Sequence, residues 1–265
     1  MKNDIKSAEE IALMRQAGLL VWGAHQVAAE LVEPGITTGE INAAVEKFIA
    51  AHHAEALFKG VPGPKMPFPA AACISVNEQI VHGIPGKRRL VEGDIVSIDI
   101  GCRLNGWCGD AAVTRPVDKI DARKQKLLDV TETTLHRAIE LIPQRSRWSQ
   151  VAKEIEAYVK RSGFSVVEGL VGHSIGREMH GSVQVPNYYT RQYEVYSDFE
   201  LVPGVVIAVE PMVNAGVKNF KILDDGWTIV TQDNKPSAHF EHTLAITPRG
   251  VQLLTAGPDG RAWAA

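Results

Sequence analysis

Two aspartates stand eleven positions apart in the segment DIVSIDIGCRLNGWCGDAAVT, and the turn between them sets their geometry. Asn105-Gly106 is the strongest short-range hairpin signal, because both central positions of a type I′ turn need positive φ. With those residues in the turn, Leu104 faces Trp107, Gly101 faces Asp110 and Asp99 faces Ala112. Asp99 then shares a sheet face with Asp110 as a diagonal cross-strand neighbour, roughly 7–8 Å away at the backbone and closer at the carboxylates. One carboxylate could chelate a cation while the other bridges a pair of ions about 3.5–4 Å apart. Asp is depleted in strands and costly to bury, so two in a Val/Ile-rich hairpin call for a compensating cation. A pair of surface acids on the hairpin edge is the other reading.

Two glutamates extend the set. Glu210 ends the apolar run VVIAV and precedes Pro211, and a carboxylate there is poor surface filler. Glu241 lies in SAHFEHTLAIT, where Ala238, Phe240, Leu244 and Ile246 form one face of an alternating strand and Glu241 and Thr243 the other. Each acid alone reads more readily as a surface residue than as a ligand; together with the aspartates they offer hard oxygen donors to Mn(II), Fe(II), Co(II) or Zn(II). Of the nine histidines, His25, His52, His53 and His136 fall on expected helices or helix ends, as packing or surface residues. His82 sits in VHGIP, and His173 and His180 bracket HSIGREMH. Loop histidines beside a carboxylate cluster are candidate ligands or acid–base groups. Gly172-His173-Ser174-Ile175-Gly176 also matches the G-x-S-x-G elbow of serine hydrolases, which requires a strand-turn-helix. The residues after Ser174 carry polar spacing, Pro186 and no helical stripe, which argues against it.

The elements that must position these groups come in a rhythm. Ser7 with Glu10 and Thr37 with Glu40 are capping boxes that open two amphipathic helices, the first stopped by Pro34-Gly35. Strand-like residues 72–76 and 94–114 follow. The order then recurs: helices from Asp121 to Leu141 and from Val151 to Arg161, then strand-like segments at 165–173, 205–213, 219–223, 227–231 and 237–247, with Asp225-Gly226 as a second hairpin turn. Two helices followed by strands, twice, imply an internal duplication of roughly 120 residues, with halves about 1–118 and 119–250. One α+β domain over residues 1–265, with an internal pseudo-two-fold and helices packed on one face of an antiparallel sheet, is the expected architecture.

Composition bounds the function classes. The chain has 265 residues, 45% apolar and 22% charged, enough for a sizeable core. A net charge of −3 leaves no footprint for nucleic acid or an anionic membrane. Cys73, Cys102 and Cys108 are too few for a disulfide framework, the N-terminal MKNDIKSAEE has no signal-peptide core, and no apolar run approaches a membrane span. A soluble, cytoplasmic protein is expected.

SVNEQIVHGIP, the Asp99/Asp110 hairpin, GHSIGREMH, AVEPMV, DGW and FEHT occur in the order that resembles the type I methionine aminopeptidases, from the first helix to about Gly250. The resemblance implies the duplicated pita-bread fold and a dinuclear site of two divalent ions, Co, Mn, Fe or Zn. In it Asp110 and Glu241 bridge, Asp99 binds one ion, and His173 and Glu210 bind the other. It also implies that Glu210 shuttles the proton of the attacking water, and that His82 and His180 contact substrate and intermediate. Cys73, Met179, Met212 and Trp227 are the implied methionine pocket, with Phe58 beside them. Val61, where tyrosine is common, and Gly181-Ser182-Val183, in place of an acidic pair and proline, depart from the pattern. The implied substrates are nascent polypeptide N-termini with a small second residue, met at the ribosome by a monomeric enzyme.

Two rivals remain. A proline-specific aminopeptidase shares the five ligands but usually carries an extra N-terminal domain, whereas only about 70 residues precede SVNE here. Non-catalytic binding proteins on this fold lose ligands, and all five are present.

Overall fold

The computed structural model describes residues 4–261. Helix α1 (Ala8–Ala29) begins at the Ser7/Glu10 box and α2 (Thr38–Ala51) at the Thr37/Glu40 box, and both reciprocal hydrogen bonds form in each. Helix α3 (Ala122–Leu141) starts where Asp121 Oδ1 accepts the N–H groups of Arg123 and Lys124. Helix α4 (Trp148–Arg161) begins three residues earlier than its apolar stripe predicts, because the Gln150 side chain accepts the Ser146 and Arg147 N–H groups.

The first half builds a four-stranded antiparallel sheet from Glu55–Ala56, Ala72–Val76, Ile95–Leu104 and Trp107–Pro116. Its hairpin has the expected register, with Gly101 opposite Asp110 and Asp99 opposite Ala112. Asn105 and Gly106 adopt φ of 52° and 78°, as a type I′ turn requires. Pleat parity then decides the faces. Val96, Ile98 and Ile100 pack under Leu20, Val21 and Ala24 of α1 and Ile41, Val45 and Ile49 of α2, which leaves Asp99 on the opposite face.

The second half repeats this. Ile207, Val209, Leu244 and Ile246 bury against α3 and α4 in the largest core cluster, so Glu210 and Glu241 also turn away from the helices. The expected strands at 205–213 and 237–247 are each broken, into Val206–Val209 and Met212–Asn214, and into Ser237–His239 and His242–Thr247. Val209 pairs with His242 and Met212 with His239, so the register continues through the break. The ladder is interrupted only at Glu210-Pro211 and Phe240-Glu241, where Pro211 has no N–H to give.

The halves meet along Trp107–Pro116. Glu241 donates its N–H to Ala112 O at 2.8 Å, and a threonine hydroxyl spans the gap on either side. Thr243 Oγ1 accepts the Asp110 N–H at 3.1 Å and donates to Asp110 O at 2.8 Å. Thr114 Oγ1 does the same for His239, both contacts at 2.8 Å. This seam is two-fold about Ala112 and Glu241. It makes Thr114 and Thr243 equivalent, and likewise Asp110 and His239. The spacing agrees: α2 and α4 begin 110 positions apart, at Thr38 and Trp148, and Asp99 and Glu210 are 111 apart. No described helix is long and apolar enough to cross a membrane.

Candidate metal centre

The polar face of the joined sheets gathers the acids. Asp110 and Glu241 are 3% and 2% exposed, and one donor atom from each lies within 4.8 Å of a His173 ring nitrogen. His173 Nε2 stands 3.8 Å from Asp110 Oδ2 and 3.7 Å from Glu210 Oε1. Donors of a four-coordinate ion at 2.0–2.1 Å lie roughly 3.4 Å apart, so these positions are already near coordination spacing. Asp99 completes the group from across the hairpin, its carboxyl within hydrogen-bonding reach of Asp110. His173 Nδ1 lies 3.2 Å from Ser174 O. Donation there keeps the proton on Nδ1 and aims the Nε2 lone pair at the carboxylates.

The electrostatics of the bare protein are adverse. Burial, followed by the neighbouring carboxylates, holds Asp99 and Glu241 well above the usual carboxylate range. Burial and then Asp110 do the same to Glu210. Burial lifts Asp110 itself to about 7, against the hydrogen bonds it accepts. Burial, then the nearby His180, pushes His173 down to about 4. Asp99 Oδ1, Asp110 Oδ1 and Glu241 Oε1 are buried and lack a hydrogen-bond partner. Four clustered carboxylates, three of them with an orphaned oxygen, and one imidazole lone pair ask for about four positive charges, which two divalent cations supply. The residues present therefore fit a pair of divalent metal ions.

The centre lies at the bottom of a cavity of about 130 Å³ whose far end is apolar. Phe58, Cys73, Met179 and Trp227 line that end, as the sequence reading expects, together with Val61 and Phe68. Trp227 is held by donation of its Nε1–H to Met66 O at 2.8 Å and by the Asp225 carboxylate, which accepts its backbone N–H at 2.7 Å. Met212, expected in the same wall, does not line this cavity and packs instead with Ile80, Val81, Val167 and Ile229.

His82 lines the cavity with φ of 57°, a left-handed conformation uncommon outside glycine. The next residue, Gly83, lies so close to the preceding strand that a Cβ would stand 2.3 Å from Ile74 O. Its ring meets Trp227 edge-on at 6.3 Å, and burial, with His180 nearby, lowers it to about 4. His180 sits at the rim, its ring 4.4 Å from that of His173. Ser174 follows the short strand Gly172–His173, but no helix follows it until Arg191–Tyr196. Its hydroxyl accepts the Val183 N–H at 3.2 Å. The strand-turn-helix of a hydrolase elbow is absent among the described residues.

Two groups here escaped the sequence reading. Phe68 gives no pattern signal in its proline-rich loop. His239 stands 3.6 Å from Glu210 Oε2, and it shares odd-numbered parity with Glu241 and Thr243, which was a usable signal.

Comparison with known proteins agrees with this centre. The model of metallopeptidase family M24 matches residues 12–248. Methionine aminopeptidase 1 of Bacillus subtilis is 44% identical over 250 residues, 94% of this chain and 98% of that protein. The chain belongs to metallopeptidase family M24, in its methionine aminopeptidase branch. A Clostridium perfringens methionine aminopeptidase is 45% identical to this M24 chain, over 95% of it and 98% of the relative. The crystal structure of methionine aminopeptidase from Thermotoga maritima superposes with a TM-score of 0.88 at 38% identity, covering 96% of this chain and 99% of that one. A prolidase from Pyrococcus furiosus, at 21% identity and a TM-score of 0.72, shares the fold; the match spans 65% of its length. The M24 chain thus has the α+β pita-bread architecture and is a metal-dependent peptidase.

Proposed function

We propose that this chain removes the N-terminal methionine of polypeptides, with Asp99, Asp110, His173, Glu210 and Glu241 holding two divalent ions. Asp110 and Glu241 would be shared between the ions, with Asp99 on one side and His173 and Glu210 on the other supplying the remaining donors. The observation that carries this reading is the meeting of five donor side chains at the floor of a cavity whose other end is apolar. Bound ions of this kind lower the pKa of a water toward neutrality and polarise a carbonyl.

The protein's own groups do the rest. Glu210, whose carboxylate lies among the ligands and within reach of His173 and His239, would take a proton from the attacking water and pass it to the leaving amine as the C–N bond breaks. His180, at the rim beside His173, donates an N–H to the carbonyl oxygen as charge develops there. His82 orients the scissile amide from the wall beside Trp227. The flexible, polarisable methionine side chain suits the soft and aromatic surface of Cys73, Met179, Phe58 and Trp227. The chain acts as one catalytic unit, halves 1–118 and 119–250, on nascent N-termini with a small second residue. It works in the cytoplasm, near the ribosome, as a monomer, with no nucleic-acid or membrane site of its own.

Incubation with Met-Ala-Ser and Xaa-Pro peptides, with Mn(II) or Co(II) and then a chelator, tests the reading. Methionine release that the chelator abolishes supports it. Cleavage of proline peptides alone refutes it.

A further inference from the structure

The reaction outlined above gives His239 no task, although the fold holds this side chain tightly against the centre. Its ring is 1% exposed, and both ring nitrogens are buried without a hydrogen-bond partner. Such a side chain costs free energy unless something compensates it. Its nearest charged group is Glu210, whose two oxygens face two different imidazoles. Oε1 lies 3.7 Å from His173 Nε2, and Oε2 lies 3.6 Å from His239 Nε2.

The backbone beneath His239 is clamped. Thr114 Oγ1 accepts its N–H and donates to its carbonyl, and Thr114 is itself tied to Ser97 Oγ at 2.8 Å. By the two-fold seam, His239 occupies the position in the second half that Asp110 occupies in the first. Glu210 likewise occupies the position of Asp99. The second half therefore presents a pair of facing groups, as the first half does, but with an imidazole in place of one acid.

We propose that His239 is a positioning residue for Glu210, donating its Nε2–H to Oε2 in the loaded centre and so holding Oε1 toward His173. The inference rests on the reading of Glu210 as a metal-holding carboxylate. An imidazole ring always carries at least one N–H. The 3.6 Å separation exceeds an N–H···O bond by roughly half an ångström, within reach of a rotation of the carboxylate. Fixing one oxygen of a ligating carboxylate from outside is how outer groups sharpen metal affinity.

The test compares wild type, His239→Gln and His239→Leu after chelator treatment. Glutamine keeps an N–H donor but is a poor nitrogen ligand; leucine removes the donor at similar volume. Each protein is titrated with Co(II), followed by calorimetry and visible absorption, and then assayed on Met-Ala-Ser at saturating Co(II). His239→Leu should weaken Co(II) binding by roughly 10–100-fold and lower kcat more than it raises KM, and His239→Gln should recover both to within about threefold of wild type. Unchanged Co(II) binding in His239→Leu overturns the proposal, and so does a glutamine variant as weak as the leucine one. Should the leucine variant not fold, His239→Asn, whose amide is too short to reach Oε2, carries the same expectation. Wild type that binds Co(II) but releases no methionine refutes the activity reading alone, while the binding series still decides the role of His239.

Discussion

Thr243→Val isolates the seam between the halves. The Thr243 side chain is fully buried, and its hydroxyl alone serves both the N–H and the C=O of Asp110, at 3.1 and 2.8 Å. These groups point away from the hairpin partner, because Asp110 and Gly101 face each other across the ladder and the Asp110 peptide bonds outward to Thr243. Valine keeps the volume but leaves a buried donor and a buried acceptor unmade. Each costs about 1–3 kcal/mol, so the expected loss is about 2–6 kcal/mol, a large part of the about 5–15 kcal/mol of a typical domain. Urea unfolding of chelator-treated protein should show a lower midpoint at unchanged m, and thermal unfolding should fall by roughly 5–15 °C. Thr243→Ser keeps the hydroxyl and should cost under about 1 kcal/mol. Thr114→Val should cost at least as much as Thr243→Val, because its hydroxyl also meets Ser97. A Thr243→Val loss below about 1 kcal/mol would mean that water or a backbone shift satisfies Asp110, and the clamp would carry no weight.

Two further perturbations follow from the buried charges. Asp99→Asn should abolish Co(II) binding yet stabilise the chelator-treated protein at pH 8 by at least about 1 kcal/mol, since it removes one of four mutually repelling acids. The folded-state pKa values of these acids are raised, so their contribution is present at low pH and lost as pH climbs through them, near 7 for Asp110. A chelator-treated variant less stable than wild type would contradict that sign. His25 is the opposite case: fully buried, its Nε2 2.9 Å from Ala111 O, it is pushed down to about 4 by burial. The unfolded chain takes up that proton first, so stability is lost as pH falls from 6.5 toward 4, by about 3 kcal/mol. Urea midpoints across that range should fall more steeply for wild type than for His25→Gln, and parallel curves would refute the assignment.

How much was legible depended on whether an element kept its period. The Asp99/Asp110 register could be read because Asn105-Gly106 fixes the turn and ten paired residues run on without a break. Glu210 and Glu241 were harder, since each lies where its strand is interrupted. Parity still placed Glu241 with Thr243 on the polar face, and the same parity reaches His239. Met212 shows the opposite failure: family position put it in the pocket wall, whereas its side chain packs with Ile80, Val81, Val167 and Ile229, contacts that neither parity nor motif order reveals. The apolar wall from Phe58 to Phe68 lies in a loop with no period at all, where only tertiary contact defines which side chains face inward.

The duplication itself explains why the centre is chemically lopsided. The two-fold equates Asp99 with Glu210, Asp110 with His239, and Ala112 with Glu241. It also equates the short strands Glu55–Ala56 and Ser165–Val166, whose partners are Arg103 and Cys102 in one half and Asn214 and Val213 in the other. The segments that follow these two strands are therefore counterparts, and they have diverged completely. After Ser165–Val166 the chain delivers His173 and His180; after Glu55–Ala56 it delivers Phe58, Val61 and Phe68 to the same cavity. A symmetric scaffold thus sends two imidazoles into the cavity from one of these segments and three apolar side chains from the other, with Met179 and His82 completing each kind from the opposite half. A reaction that must grip a side chain on one side of a peptide bond and move protons on the other needs that asymmetry. It also accounts for a glutamate at 241 beside a mere alanine at 112: a second carboxylate on the axis would add buried charge to a cavity that already holds Asp99, Asp110, Glu210 and Glu241.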